Sequence, residues 1–299
     1  MTITKARIAG LLVGLLGLWG AIPAVAADTV NIETVPVRNG IFMLTGQGGN
    51  IGLFIGEDGT FLIDDQFAPL TEKHLAAIRA AGGDTPRFLI NTHYHADHTG
   101  GNENLGKAGA LIFSHDKVRE RLTVETVIAA FNMVTPPLPK DALPVVTFST
   151  DLTFHLNGDT LHVFHAPRAH TDGDSVIHFE KANVIHTGDV LFNGFYPFID
   201  VDHGGSLQGM IAAADAVLAL TDGNTKLIPG HGPLGDRAQL QAYRDMLATA
   251  YARLGNLKAQ GLHAAAAVAA QPLADLEPRW GKGLFTGDQW VGLIYGGLD

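Results

Sequence analysis

The run Thr92-His93-Tyr94-His95-Ala96-Asp97-His98-Thr99-Gly100-Gly101 constrains this chain more than any other segment. It sets three histidines and a carboxylate within six residues, directly after the apolar run Phe88-Leu89-Ile90 and ahead of a double glycine. A short apolar run that leads into turn residues reads as a buried strand. On extended backbone, side chains two apart project to the same side, so His93 and His95 can grip one cation together. Asp97 and His98 lie past the turn and reach a second cation beside it. Imidazole and carboxylate are the ligands expected for Zn2+, with Fe or Mn as alternatives. The chain has 14 histidines and no cysteine, which excludes thiolate ligands, cysteine nucleophiles and disulfides.

Residues 1–27 are set aside before the fold is read. Lys5 and Arg7 form a short positive region, and Ile8 to Ile22 is apolar apart from glycines. Ala24-Val25-Ala26, or Val25-Ala26-Ala27, is a small-x-small cleavage site, completing a secretory signal pattern. Fifteen apolar residues fall short of the ~20 that a spanning helix needs. The expectation is a cleaved signal with no stable membrane anchor, and a periplasmic product if the host is Gram-negative. The remaining chain keeps 18 basic against 30 acidic residues, a formal charge of −12, and has no Lys/Arg run. That excludes a nucleic-acid footprint and leaves a small-molecule substrate as the expected partner.

Residues 28–299 read as one mixed α/β domain. Charged residues make up 17% and the mean hydropathy is +0.15, which excludes intrinsic disorder. Short strands are expected at Val30 to Val37, Ile41 to Leu44, Ile51 to Ile55 and Phe61 to Ile63. The glycine cluster Gly46-Gln47-Gly48-Gly49-Asn50 between them lacks dinucleotide spacing and reads as a flexible hairpin loop. A helix is expected from Thr71 to about Gly82, and Thr135 to Pro139 must be a loop. Further strands are expected at Leu111 to Phe113, Pro144 to Val146, Val176 to Phe179, Val184 to His186 and Leu227-Ile228, with a hairpin around Asn157-Gly158. Ser206 reads as the N-cap of a helix, and Leu240 to Leu254 as a long helix stopped by Gly255. Another helix is expected over Ala264 to Ala270.

His-x-His-x-Asp-His resembles the signature of the metallo-β-lactamase superfamily. Later words of the sequence resemble that family's other motifs, in order: His170 in His170-Thr171-Asp172-Gly173, Asp189 in His186-Thr187-Gly188-Asp189, and His231 in Pro229-Gly230-His231-Gly232. Asp64, ending a strand, resembles the early aspartate that braces the histidine loop. The resemblance implies an αββα sandwich, two mixed β-sheets flanked by helices. It also implies a site in which His93, His95 and His170 hold one zinc, Asp97, His98 and His231 hold a second, and Asp189 bridges them. Two metals so placed share one hydroxide that attacks a carbonyl, and Asp97 would carry the proton to the leaving group. His165 competes with His170 as ligand, since it shares strand parity with Leu161 and Val163; the turn following His170 favours His170. His186 reads as a core or supporting residue. His203 is either a lining of the substrate pocket or a surface-loop histidine.

The implied activity is that of a secreted dinuclear zinc hydrolase with weak β-lactamase-like activity. The largest lactamase subgroup has cysteine where this chain has Asp189, and a lysine three positions later where it has Phe192. Phe192→Lys is accordingly expected to be neutral or improving, and Arg168 is the one basic residue close to a candidate ligand in sequence. Aspartate at the bridge resembles the thioesterases and lactonases of the family, so a lactone, thioester or phosphodiester is the alternative substrate. Two readings from other classes are a mononuclear-iron redox enzyme and a non-catalytic zinc-binding protein.

Overall fold

A computed structural model describes residues 29–298; the segment read as a signal, residues 1–27, lies outside the described residues. The chain runs β1 (Glu33–Arg38), β2 (Ile41–Thr45), β3 (Ile51–Gly56), β4 (Gly59–Ile63), α1 (Thr71–Ala80), β5 (Phe88–Asn91), α2 (Ala96–Thr99), α3 (Asn102–Lys107), β6 (Leu111–His115) and α4 (Asp116–Leu122). It continues through β7 (Thr126–Ile128), β8 (Met133–Thr135), β9 (Val146–Phe148), β10 (Asp151–Leu156), β11 (Asp159–His165), β12 (Ser175–Phe179) and β13 (Val184–Phe192). The last elements are α5 (Leu207–Leu220), β14 (Lys226–His231), β15 (Gly235–Asp236), α6 (Arg237–Ala259), α7 (Ala264–Ala269), α8 (Glu277–Trp280) and α9 (Gly287–Ile294).

Two sheets face each other. One has the order β1-β2-β3-β4-β5-β6-β9, antiparallel up to β4 and parallel from β4 to β9. The other has the order β10-β11-β12-β13-β14-β15, with β13 and β14 parallel. Phe54, Phe61, Ile90 and Phe113 of the first sheet meet Val163, Ile177, Phe179 and Ile228 of the second. The outer face of the first sheet buries Leu62, Leu89 and Ile112 against Ile78 of α1 and Leu105 of α3. The outer face of the second buries Val176, Ile185 and Leu227 against Met210 and Val217 of α5 and Tyr243 and Leu247 of α6. Strands covered on both faces read as continuous apolar runs; hence Phe88-Leu89-Ile90, with Ile90 facing the inner layer and Leu89 the helices. The result is the αββα sandwich.

Several local expectations shift. The first strand begins at Glu33 rather than Val30, and β9 at Val146 rather than Pro144. Ser206 caps α5, its hydroxyl accepting from the Gly209 N–H at 3.0 Å. Gly255 does not stop α6: a lone glycine costs about 1 kcal/mol in a helix, less than burial of the flanking Leu254 and Leu257 returns. The helix continues to Ala259 and closes at Gly261, where the Leu262 N–H reaches back to the Leu257 carbonyl. The β7–β8 hairpin had no period long enough to read. Among the described residues, no helix is long and apolar enough to cross a membrane.

Candidate metal centre

The C-terminal ends of the parallel strands open onto one place. Asp64 follows β4, the histidine loop follows β5, Asp189 lies within β13, and His231 ends β14. His170 comes from the loop between β11 and β12. The seven side chains singled out in sequence fall into two adjoining groups, His93, His95, His170 and Asp189, and Asp97, His98 and His231.

In the first group three imidazole nitrogens converge: His95 Nδ1 lies 3.1 Å from His93 Nε2 and 2.9 Å from His170 Nε2. Partners behind the rings fix which nitrogen carries the proton. His170 Nδ1 donates to the Phe198 carbonyl (2.8 Å), and His95 Nε2 donates to Asp200 Oδ2 (2.9 Å). The facing nitrogens of His95 and His170 therefore present lone pairs to each other at 2.9 Å. In the second group His98 Nδ1 donates to Asp64 Oδ2 (2.8 Å). Its Nε2 then faces Asp189 Oδ1 at 3.2 Å, His231 Nε2 at 3.4 Å and Asp97 Oδ2 at 3.6 Å. Asp189 Oδ1 is buried and accepts no well-directed hydrogen bond. Converging lone pairs and an orphaned buried carboxylate oxygen are costly unless cations sit among them. The donor set thus fits metal ions, and imidazole with carboxylate fits Zn2+.

The charges agree. Burial pushes His93 well below the ordinary imidazole value, and His170 down to about 4, so both stay neutral as ligands must. Burial opposes charge on His98 and His231, yet Asp189 and the neighbouring carboxylates outweigh it and hold both above the ordinary value.

The supporting contacts explain the motif words. Asp64 Oδ1 accepts the Thr92 N–H and Oδ2 the Thr92 hydroxyl, both at 2.7 Å, and the same carboxylate anchors His98. The glycine cluster is the hairpin loop between β2 and β3, and it packs against the histidine loop. A Cβ on Gly49 would lie 2.1 Å from His98 Cε1, so the loop lies flat on that ring, and the Gly49 N–H donates to the Asp97 carbonyl. Gly230 is required for a similar reason: its Cβ would sit 2.0 Å from Asp189 Oδ1.

The remaining sequence candidates separate. His165 is not at the cluster; its ring stacks on His115 at 3.8 Å and its Nδ1 meets the Asp174 carbonyl. His186 is buried, with Nε2 3.3 Å from the Asn50 carbonyl. His203 neither lines the cavity nor stands free on a loop: its Nδ1 donates to both oxygens of Asp200 (2.8 and 2.9 Å). Asp200 also accepts from the Tyr94 hydroxyl and from His95. Sequence reading missed Asp200. Its one signal was a carboxylate three residues before His203, on the loop after the Asp189 strand.

Above the cluster lies a cavity of about 210 Å³. His95, Asp97, Asp189 and His231 form its polar side, and Phe67, Ile128, Phe131, Met133, Phe192, Phe198 and Leu284 its walls. Phe192 is a structural wall, 1% exposed and stacked on His231 at 5.0 Å. A lysine there would strand an ammonium in an apolar layer and lose the stacking on His231, which weighs against a neutral or improving Phe192→Lys. Arg168 is exposed, with φ +53°, and does not line the cavity.

Helix-flanked facing sheets, with a histidine–aspartate cluster that could hold metal ions at their strand ends, define an αββα scaffold. Residues 44–231 match the sequence model of the metallo-beta-lactamase superfamily, and the chain belongs to that superfamily. Over 158 residues it is 30% identical to a hydroxyacylglutathione hydrolase of Anaeromyxobacter dehalogenans, covering 52% of this chain and 51% of that one. Over 232 residues it is 26% identical to an acyl-coenzyme A thioesterase of Gallus gallus, covering 66% of this chain and 79% of that one. The fold is similar to that of a metallo-beta-lactamase from Pontibacter korlensis, with a TM-score of 0.58, 21% identity, and 73% of this chain covering 99% of that one. The chain spans about half the length of the hydroxyacylglutathione hydrolases it matches.

Proposed function

We propose that this chain is an exported dinuclear zinc hydrolase that cleaves an acyl bond, a thioester or lactone in preference to a β-lactam. His93, His95 and His170 would hold one zinc, Asp97, His98 and His231 the other, and Asp189 would bridge them. Zinc bound there supplies Lewis acidity and a water of lowered pKa. The observation that carries the reading is the cavity itself, with the cluster on one side and no lysine or arginine among its lining residues. A β-lactam brings a carboxylate that has no cation to meet, a contact worth about 1.5–3 kcal/mol. Asp97 is the candidate proton carrier, its side chain 25% exposed on the cavity side. A carboxylate so placed can take a proton and return it to the leaving atom. The thioesterase name of one relative supports the same substrate class.

Profiling the zinc-loaded mature protein across thioesters, lactones, β-lactams and phosphodiesters tests this. Thioester or lactone turnover should exceed that of a chromogenic cephalosporin, and the latter should stay below ~10⁶ M⁻¹s⁻¹. Full metal occupancy with no turnover on any member would leave a non-catalytic zinc-binding protein, and a single bound iron would favour the redox reading.

Asp200 should matter through His95. Outer partners that orient a ligating histidine typically cost 10–100-fold in metal affinity when removed. Asp200→Ala is expected to lose that much in chelator competition, and an unchanged affinity would show that the loop backbone alone holds His95. Export has its own test: the secreted protein should begin at Ala27 or Asp28, and a mass that retains Met1 to Ala26 would mean an anchor instead.

A further inference from the structure

We infer that the cavity above the cluster is a subsite for an uncharged, apolar acyl chain of medium length, selected by Phe131, Met133, Phe198 and Leu284. The inference rests on the reading of the site as an acyl hydrolase and adds the kind of acyl group.

The walls come from parts of the chain far apart in sequence. Phe131 and Met133 belong to the β7–β8 hairpin, Phe198 to the loop after β13, and Leu284 to the segment before α9. Phe131 meets Phe198 edge-on at 4.9 Å and stacks on Phe285 at 5.9 Å, so the wall is held in shape by its own ring contacts. The polar side chains among the cavity's lining residues are those of His95, Asp97, Asp189 and His231. A substrate carbonyl can meet that side while its hydrocarbon covers the opposite one. A carboxylate at the far end of the acyl group would instead be desolvated among apolar side chains, with no cation to pair with.

The dimensions set a length. About 210 Å³ corresponds to roughly seven water-sized units, and so to a chain of comparable heavy-atom count. Ile128 and Phe198 also line a second cavity of about 360 Å³, bordered by Ala129, Ile199 and Leu293. Ile128 therefore stands as a partition that ends the first subsite. Hydrolysis itself is balanced by water alone. The water oxygen joins the acyl carbon, the acyl–sulfur or acyl–oxygen bond breaks, and the leaving atom takes a proton.

The test is a straight-chain acyl thioester series from acetyl to dodecanoyl, with glutaryl beside pentanoyl as a charged pair, on the zinc-loaded protein. kcat/KM should rise about fourfold per methylene over the first several carbons, the factor expected for burying each CH2, and then level off. Glutaryl should fall at least tenfold below pentanoyl. Leu284 is 50% exposed, so Leu284→Lys keeps the fold and should raise the glutaryl-to-pentanoyl ratio at least tenfold. Ile128→Ala should move the plateau to longer chains. Hydrolysis with a flat length dependence, or with glutaryl preferred, would overturn the subsite while leaving the hydrolase reading intact. If no acyl compound is cleaved, the hydrolase reading fails, and calorimetric affinity for acetate through octanoate decides the subsite separately: it stands if affinity climbs with chain length and falls if affinity is flat.

Discussion

Elemental analysis of the mature protein, prepared with zinc in excess, is expected to return two metal ions per chain, and His231→Ala about one. The expectation follows from the way the cluster divides. His93, His95 and His170 are buried and braced from behind by Thr92, Asp200 and the Phe198 carbonyl, so this half keeps its geometry when His231 is lost. His231 is the most exposed histidine of the set, 19% open, and enters the other half from the end of β14. Removing it leaves His98 as the one imidazole of that half, beside Asp97 and a carboxylate shared with the other metal, a poorer donor set than the three histidines of the first half. The remaining fold contacts of β14 are made by Leu227 and Ile228 in the core, so His231→Ala should fold normally. One metal per chain in the unmodified protein, with zinc in excess, would reject the dinuclear reading and return weight to a mononuclear one.

The histidine run and its strand were legible because they are local. An apolar run into a turn with ligands two residues apart is written within ten residues, although β5 ends at Asn91 and His93 and His95 lie on the bend after it rather than on the strand whose parity the sequence reading uses. The αββα architecture was legible only through the resemblance. Period and composition announced mixed α/β, but nothing local says that β13 runs parallel to β14 or that the two sheets stack face to face. Asp200 was illegible for a related reason: it acts across 105 residues on His95, and no sequence interval encodes that contact. The contact of Gly49 with the His98 ring was illegible because a glycine that permits a turn and a glycine that permits a ring to lie against the backbone look alike in sequence. Phe192 was judged by the residue it replaces in relatives, whereas its packing against His231 depends on this chain's own apolar wall. His165 keeps the inward parity of Leu161 and Val163, but what it meets between the sheets is His115 of β6 rather than the cluster, and parity alone does not say which residue of the facing sheet lies opposite.

Asp97→Asn should abolish most turnover even when zinc is raised until both halves of the cluster are filled. Asp97 Oδ2 lies 3.4 Å from His231 Nε2 and 3.6 Å from His98 Nε2, so it is placed as a ligand beside them. It differs from Asp189 in facing the cavity with a quarter of its side chain open, against 3% for Asp189. Burial alone would raise its pKa, but His98 and His231 outweigh that and hold it well below the usual carboxylate range. An ionised carboxylate on the cavity side can accept a proton; an amide of the same shape cannot. Asparagine keeps an oxygen for ligation and nearly the same volume, so the substitution separates the two roles. General acid–base catalysis typically contributes 10²- to 10⁴-fold, and a loss of that size should persist at saturating zinc, with metal content measured on the same sample. Near-normal turnover once zinc is restored would show that Asp97 only ligates. The proton would then have to leave through another group on the cavity side, and His231 would be the next residue to replace.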